Sequence, residues 1–320
     1  MREMRKLSWI LVLVFIGGFF NNSSARSRIA FIRAPVSEMC DAFVANLDGS
    51  NCRQVTSSHS IACAKWLDSK TLAVISGEDS SHGDIWLVSI NDDNSRGQAT
   101  QLTKFGDVVN LSCSSDGKRL AFCRDSFYKG TSERIMSLAI IYRNGKDYQI
   151  LKKIDANYPL DDLISCFGGQ YLFYAANNFD NSNEPFIARI DLANKQEKVI
   201  FSLPYSEPHG LSCDGIFSLD CSKDCKKLVF TGYQHRDSYG NIVEQYFLKS
   251  IDPTKNNGEN AATILQKSQP LSCFSFMAGE EAAMIDYNTQ GEEYDIYSLN
   301  LVSKRFELFL QGACSPDVWY

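Results

Sequence analysis

The chain has 320 residues, 44% of them hydrophobic and 22% charged, with a formal net charge of −6. That acidity argues against nucleic acid and anionic membrane surfaces as partners, and it leaves the fold open. Length alone allows one large β domain as readily as two smaller domains.

Arg2, Arg5 and Lys6 precede a run from Leu7 to Phe20, and the polar stretch Asn21–Ala25 follows. A basic start, a short apolar run and Ser23-x-Ala25 describe an export signal cut after Ala25. The run is short of the roughly 20 residues a membrane-spanning helix needs. Cleavage would remove three basic residues and Glu3, leaving 295 residues with a net charge of −8. The expected location is periplasmic or secreted, with no stable membrane span after signal removal.

From Arg26 onward the sequence repeats. The clearest unit is Leu111–Phe122, a short strand, a turn on Ser115–Lys118 and a second strand from Arg119 to Cys123. Asp116-Gly117 offers the positive φ that a two-residue hairpin turn needs, with alternating apolar residues on both sides. The core of the second strand recurs as Arg28–Phe31, Thr71–Val74, Arg119–Phe122, Tyr171–Tyr174, Lys227–Phe230 and Ala282–Ile285. An acid or amide then opens a third strand: Asp41–Asp48, Asp84–Ile90, Glu184–Asp191, Gln245–Asp252 and Asp295–Asn300, with Glu133–Leu138 the best candidate in the third unit. Fourth strands follow at Arg53–Thr56, Thr100–Thr103, Tyr148–Leu151, Lys198–Phe201, Thr263–Leu265 and Phe306–Phe309. Four short strands per unit, every ~40–50 residues, is the mark of a propeller blade. The expectation is an all-β, six-bladed β-propeller of four-stranded antiparallel blades over residues 26–320.

Blade one has no first strand ahead of Arg28. Counting from the fourth strand of each blade, the Trp66 and Cys113 position recurs near Trp319. Ser315–Tyr320 is therefore expected to complete blade one and close the ring, removing an open sheet edge. Eleven cysteines lie beyond the signal segment, an odd number with neither a disulfide-framework nor a metal-ligand spacing. Cys113, Cys166 and Cys221 take one repeat position, where Trp66 and Phe276 stand in other blades, and so read as core filling. Cys225 replaces the turn glycine and is expected to be exposed.

The four histidines fall in connections that emerge on one face of a propeller: His59 and His209 between blades, His82 and His235 between second and third strands. A metal or acid–base site there is conceivable, yet blades two and five lie opposite each other. The same face carries Asp107, Asp155, Tyr158, Tyr205, Glu207 and His209, candidates for partner binding on loops held by a rigid scaffold. The longest insertions are Asn177–Glu184, Phe201–Ile216 and Gln234–Glu244. No Gly-x-Ser-x-Gly, His-Glu-x-x-His, P-loop or dinucleotide fingerprint stands in a usable context, no catalytic residue or metal ligand is assigned, and no cofactor is implied.

Cys113–Phe122 and Asn46–Thr56 resemble the TolB-type propeller repeat, whose typical form is Trp-Ser-Pro-Asp-Gly-Lys-x-Ile-Ala-Phe with Asp-Gly-x-x-x-x-x-Leu-Thr. The likeness in architecture spans Arg26–Tyr320, and its motifs are closest in blades one to three. It implies a periplasmic propeller that binds an envelope protein, the family's partner being the peptidoglycan-associated lipoprotein. In this sequence the propeller follows the signal segment directly, without the α/β domain that precedes it in TolB and engages the inner-membrane partners. Propellers of prolyl-oligopeptidase-type peptidases have similar repeats, with a hydrolase domain that does not follow here. Two readings stand: a non-enzymatic protein-binding scaffold of the envelope, or a propeller enzyme, a metal-dependent lyase or hydrolase, acting on carbohydrate or peptide at the channel mouth. A lone propeller derived from a peptidase and regulating another protein is a third.

Overall fold

The computed structural model describes residues 27–36, 39–77, 82–127, 134–154, 164–168, 170–177, 185–203, 215–222, 224–237, 242–255, 261–277, 279, 281–288 and 294–319. The export signal lies outside the described residues. In chain order, blade one contributes β1 (Arg28–Val36), β2 (Met39–Asn46) and β3 (Arg53–Gln54). Blade two is β4 (Ile61–Asp68), β5 (Thr71–Ser76), β6 (Asp84–Ile90) and β7 (Arg96–Gln101). Blade three is β8 (Val108–Cys113), β9 (Arg119–Phe127), β10 (Arg134–Tyr142) and β11 (Gln149–Ile154). Blade four is β12 (Ile164–Gly168), β13 (Tyr171–Ala176), β14 (Phe186–Asp191) and β15 (Glu197–Ser202). Blade five is β16 (Gly215–Cys221), β17 (Leu228–Asp237), β18 (Ile242–Ile251) and β19 (Ala262–Lys267). Blade six is β20 (Leu271–Phe276), β21 (Ala282–Tyr287), β22 (Asp295–Asn300) and β23 (Phe306–Leu310), and β24 (Cys314–Trp319) returns to blade one.

Six four-stranded antiparallel sheets result, and blade one has the order β24-β1-β2-β3. The C-terminal strand pairs with the N-terminal one through Arg28 with Trp319, Ile29 with Val318 and Ala30 with Asp317. The innermost strands touch in a ring, β24 to β4 to β8 to β12 to β16 to β20 and back to β24. Both faces of every blade are therefore covered, which is why the second strands read as near-continuous apolar runs. The core is six wedges, one between each pair of neighbouring blades. Ala30, Val44, Trp66 and Val74 fill the wedge between blades one and two, and Ile29, Phe31, Met284 and Val318 fill the closing one.

In blades one and two the acid near the start of the third strand is explained by hydrogen bonding. Asp84 accepts from the Thr103 hydroxyl at 2.9 Å and from the backbone N–H groups of Phe105 and Gly106, and Thr103 Oγ1 accepts from Ile85 N–H. Asp41 and Thr56 repeat the arrangement in blade one. The pair ties the start of the third strand to the exit of the fourth, satisfying buried backbone donors that strand pairing leaves over. Thr103 thus lies beyond β7, which begins four residues ahead of the expected Thr100.

Three details depart from expectation. The turn after β8 is not a two-residue loop: Ser114 to Lys118 bridge the strands, and only Gly117 has positive φ (+65°). Ser114 N–H bonds Arg119 C=O, Gly117 N–H bonds Ser114 C=O, and the Ser114 hydroxyl takes Arg119 N–H. A Cβ on Gly117 would stand 2.6 Å from Leu67 C=O. Gly117→Ala is therefore expected to destabilise the chain by on the order of 2 kcal/mol, combining left-handed strain with that close approach, as read by urea unfolding. Second, strand pairing puts Phe167, not Cys166, opposite Leu172, and Val318, not Trp319, opposite Ile29, at the position of Trp66 and Cys113. Third, Gln234–Glu244 is mainly a hairpin extension, since β17 and β18 pair out to Asp237 with Ile242, and His235 lies in a strand opposite Glu244.

Candidate binding site at the turn end of the channel

One position before that core position, the inner strands carry Lys65, Ser112, Cys166, Asp220, Ser275 and Asp317, one from each blade, paired with Ala73, Ala121, Phe173, Val229, Met284 and Ala30. Lys65 Nζ lies 3.4 Å from Asp317 Oδ1, which joins blade two to the C-terminal strand. Their side chains keep 27% and 19% of their accessible surface although protein surrounds them, because they face the channel. Burial works against the Lys65 charge, but Asp317 and the nearby acidic groups, Asp220 among them, outweigh it and hold the ammonium above the ordinary lysine value.

The channel carboxylates are bound to backbone amides of adjacent blades. Asp317 Oδ2 accepts Trp66 N–H at 2.6 Å, Asp220 Oδ2 accepts Phe276 N–H at 3.0 Å, and Asp286 Oδ2 accepts Ser315 N–H at 2.8 Å. Ser275 Oγ accepts Val318 N–H in the same manner. Burial pushes Asp220 up to about 7 and Asp286 up to about 7, and it raises Asp317 against the pull of Lys65. Asn177 adds a two-way bond to the backbone of Ile216 across blades four and five.

At one end of the ring a cavity of about 150 Å³ takes in Trp66, Cys113, Phe167, Asp220, Ser275 and Asp317, one residue from every blade. Ser114, Ser115 and Ser222 also line it, so it opens on the face of the first-to-second-strand turns. That is the face opposite the inter-blade loops that hold the candidates named from sequence. Of those, Asp155, Tyr158, Tyr205, Glu207 and His209 lie outside the described residues. Asp107 is described and is held by Arg124 in a two-pronged ion pair at 2.8 Å.

The described histidine side chains are also held by neighbouring blades. His59, in the connection after blade one, meets Asp41 of that blade at 2.7 Å, and His82 of blade two meets Asp125 of blade three at 3.2 Å. Burial opposes the Asp125 charge, but Arg134 and then His82 outweigh it and hold this carboxyl below its usual value. Among the described residues no three His, Cys, Asp or Glu side chains converge in metal-ligand geometry.

Cys113 and Cys221 pack at the edges of inter-blade wedges, as core filling predicts, whereas the Cys166 side chain lies outside the described residues. Cys225 is half-buried rather than exposed, because its thiol hydrogen-bonds Cys221. Sequence reasoning passed over Lys65, Asp220, Asp286 and Asp317. For Lys65 and Asp220 the available cue was a lone charge inside an apolar inner strand, as in Ala64–Leu67 and Leu219–Cys221, and for Asp286 a lone acid in the apolar second strand Ala282–Tyr287.

A closed six-bladed propeller with a small polar and aromatic depression at the turn end of its channel is the class this chain defines. Its fold is similar to that of TolB from Acinetobacter baumannii, at 20% identity and a TM-score of 0.66 over 92% of this chain and 67% of that one. It is also similar to an oligogalacturonate lyase solved in complex with manganese, at 8% identity and a TM-score of 0.56 over 84% and 70% of the two chains. A prolyl endopeptidase matches at 14% identity and a TM-score of 0.51 over 93% of this chain and 50% of that one. No family model matches the sequence, and no curated protein does. The chain thus shares its propeller fold with TolB and with enzymes.

Proposed function

We propose that the chain is a non-enzymatic protein-binding scaffold of the periplasm or cell envelope, recognising another envelope or extracellular protein at an end of its channel. The observation that supports this reading most is the use of the channel carboxylates. Asp220, Asp286 and Asp317 each accept a backbone N–H across a blade boundary, so these carboxylates are committed to holding neighbouring blades together. The cavity beside them, at about 150 Å³, is below the roughly 300–1,000 Å³ of sites that enclose a small-molecule ligand. It suits a protruding side chain of a partner, with Trp66, Phe167 and Phe276 as apolar anchors at its wall. The TolB likeness adds a propeller of this shape in an envelope protein, and the partner class it suggests is a peptidoglycan-associated lipoprotein.

The test is capture from the source envelope by the purified chain beside two variants. Ser115→Arg places bulk at the exposed rim of the turn-end cavity, and a triple variant changes Tyr205, Glu207 and His209 to Ala on the opposite face. A protein captured by the native chain and lost with Ser115→Arg supports the scaffold and the turn-end site. Loss with the triple variant alone supports the scaffold and moves its site to the inter-blade loops. Turnover of a glycan or peptide by the purified chain, with no protein captured, overturns the reading.

A further inference from the structure

The turn joining β16 to β17 repeats the Ser114–Arg119 turn bond for bond. Ser222 N–H bonds Lys227 C=O, Cys225 N–H bonds Ser222 C=O, and the Ser222 hydroxyl lies 2.8 Å from Asp224 Oδ1 and takes Lys227 N–H. One element differs: where the first turn has Gly117, this one has Cys225 at φ +58°. A side chain in the left-handed region is strained, and glycine would remove that strain. The cysteine placed there reaches its neighbour across the turn. The Cys225 thiol hydrogen-bonds that of Cys221, whose sulfur lies 2.9 Å from Phe167 C=O in blade four. Cys221 also lines the turn-end cavity, so the pair has an approach from solvent. Cys63, Cys113, Cys123 and Cys273 are pushed up chiefly by burial, whereas Cys225 is pushed up first by its hydrogen bond to Cys221 and then by burial, so the thiol that lines the cavity, Cys221, is the one placed to react first.

We propose that Cys221 and Cys225 form a redox-active pair, closed to an intramolecular disulfide across the first turn of blade five by exchange with a disulfide oxidant. The oxidant is an oxidised dithiol protein or an oxidised low-molecular-weight thiol. Cys221, reached through the cavity, loses its proton and attacks one sulfur of the oxidant, forming a mixed disulfide and releasing the other sulfur as thiolate. Cys225 then loses its proton and attacks Cys221 Sγ, which releases the second thiolate. Two electrons and two protons pass from the pair to the oxidant. Closure withdraws the Cys221 S–H from Phe167 C=O and fixes the rim of the cavity.

The test uses the full chain in glutathione redox buffers, quenched with acid, alkylated and mapped by mass spectrometry. The expected result is a peptide lighter by two hydrogens that links Cys221 to Cys225, lost on reduction. Alkylation of both residues at every oxidant ratio overturns the proposal, as does linkage of either one to another cysteine. Melting temperatures supply a second readout. The oxidised native chain is expected to melt above its reduced form by on the order of 2–4 °C, with no such difference in Cys221→Ser or Cys225→Gly. Reduced Cys225→Gly is expected to melt above the reduced native chain, because glycine relieves the left-handed strain. Equal melting of the native chain in both redox states overturns the proposal.

Discussion

Removal of residues 314–320 is expected to abolish the cooperative melting transition of the whole propeller. β24 is the innermost strand of blade one, so its loss leaves the inner edge of β1 open, with Ile29 and Phe31, both 0% exposed in the intact ring, beside the gap. The inner ring loses its link between β20 and β4, since β24 touches both. Lys65 loses the carboxylate that holds its charge, and Trp66 N–H loses its acceptor. Breaking a buried pair from one side alone costs about 3–5 kcal/mol, and the lost burial of Val318 and its neighbours adds to it. Together these approach the roughly 5–15 kcal/mol by which a native domain is stable. Circular dichroism melting of the shortened chain beside the full one tests this. A midpoint within about 2 °C of the full chain would sink the closure argument. Asp317→Ala, which keeps the strand and removes only the ion pair and the Trp66 bond, should fall between the two.

The ring was legible in sequence because its second strands are the least ambiguous part of each blade, buried on both faces and preceded in blade three by Asp116-Gly117. The closing strand was legible by counting alone. What stayed hidden depends on register. A β-bulge between Ala30 and Ile32 shifts the pairing of β1 with β24, and spacing cannot reveal a shift of one residue. Phe167 and Cys166 are both apolar, so either fits the repeat, and only pairing with Leu172 and Phe173 separates them. The turn type was misread because Asp-Gly suits a two-residue loop as well as the longer one, whose closing bonds come from the Ser114 hydroxyl. The channel charges were missed for another reason. Lys65, Asp220 and Asp317 are far apart in the chain, and only the ring brings the lysine of blade two beside the acid of the last strand.

Asp286→Asn is expected to raise stability at neutral and alkaline pH and to leave it unchanged in acid. The side chain is 2% exposed, and burial pushes its carboxyl up to about 7, with Ser315 N–H, Cys273 and Lys65 offsetting only part of that cost. In the unfolded chain the group titrates near its ordinary value of about 4. Below that pH both states carry the proton, so the stability tied to the protonated native form is fully present. Between about 4 and 7 the unfolded chain has released its proton while the folded chain retains it, so stability falls as pH rises. Above about 7 the native carboxylate is charged and buried, and the full penalty, on the order of 4 kcal/mol, has accrued. Asparagine keeps an oxygen that accepts Ser315 N–H and carries no charge at any pH. Asp220 titrates in the same window and remains in the variant, and carboxylates held low, such as Asp125 beside Arg134, act in the opposite sense. Both are common to the two proteins, so the difference between variant and native chain isolates Asp286. That difference in melting temperature should be near zero at pH 4 and grow to roughly 5 °C at pH 8. A constant offset across the range would mean that Asp286 carries its charge in the fold at no cost, and that the burial assigned to it is wrong.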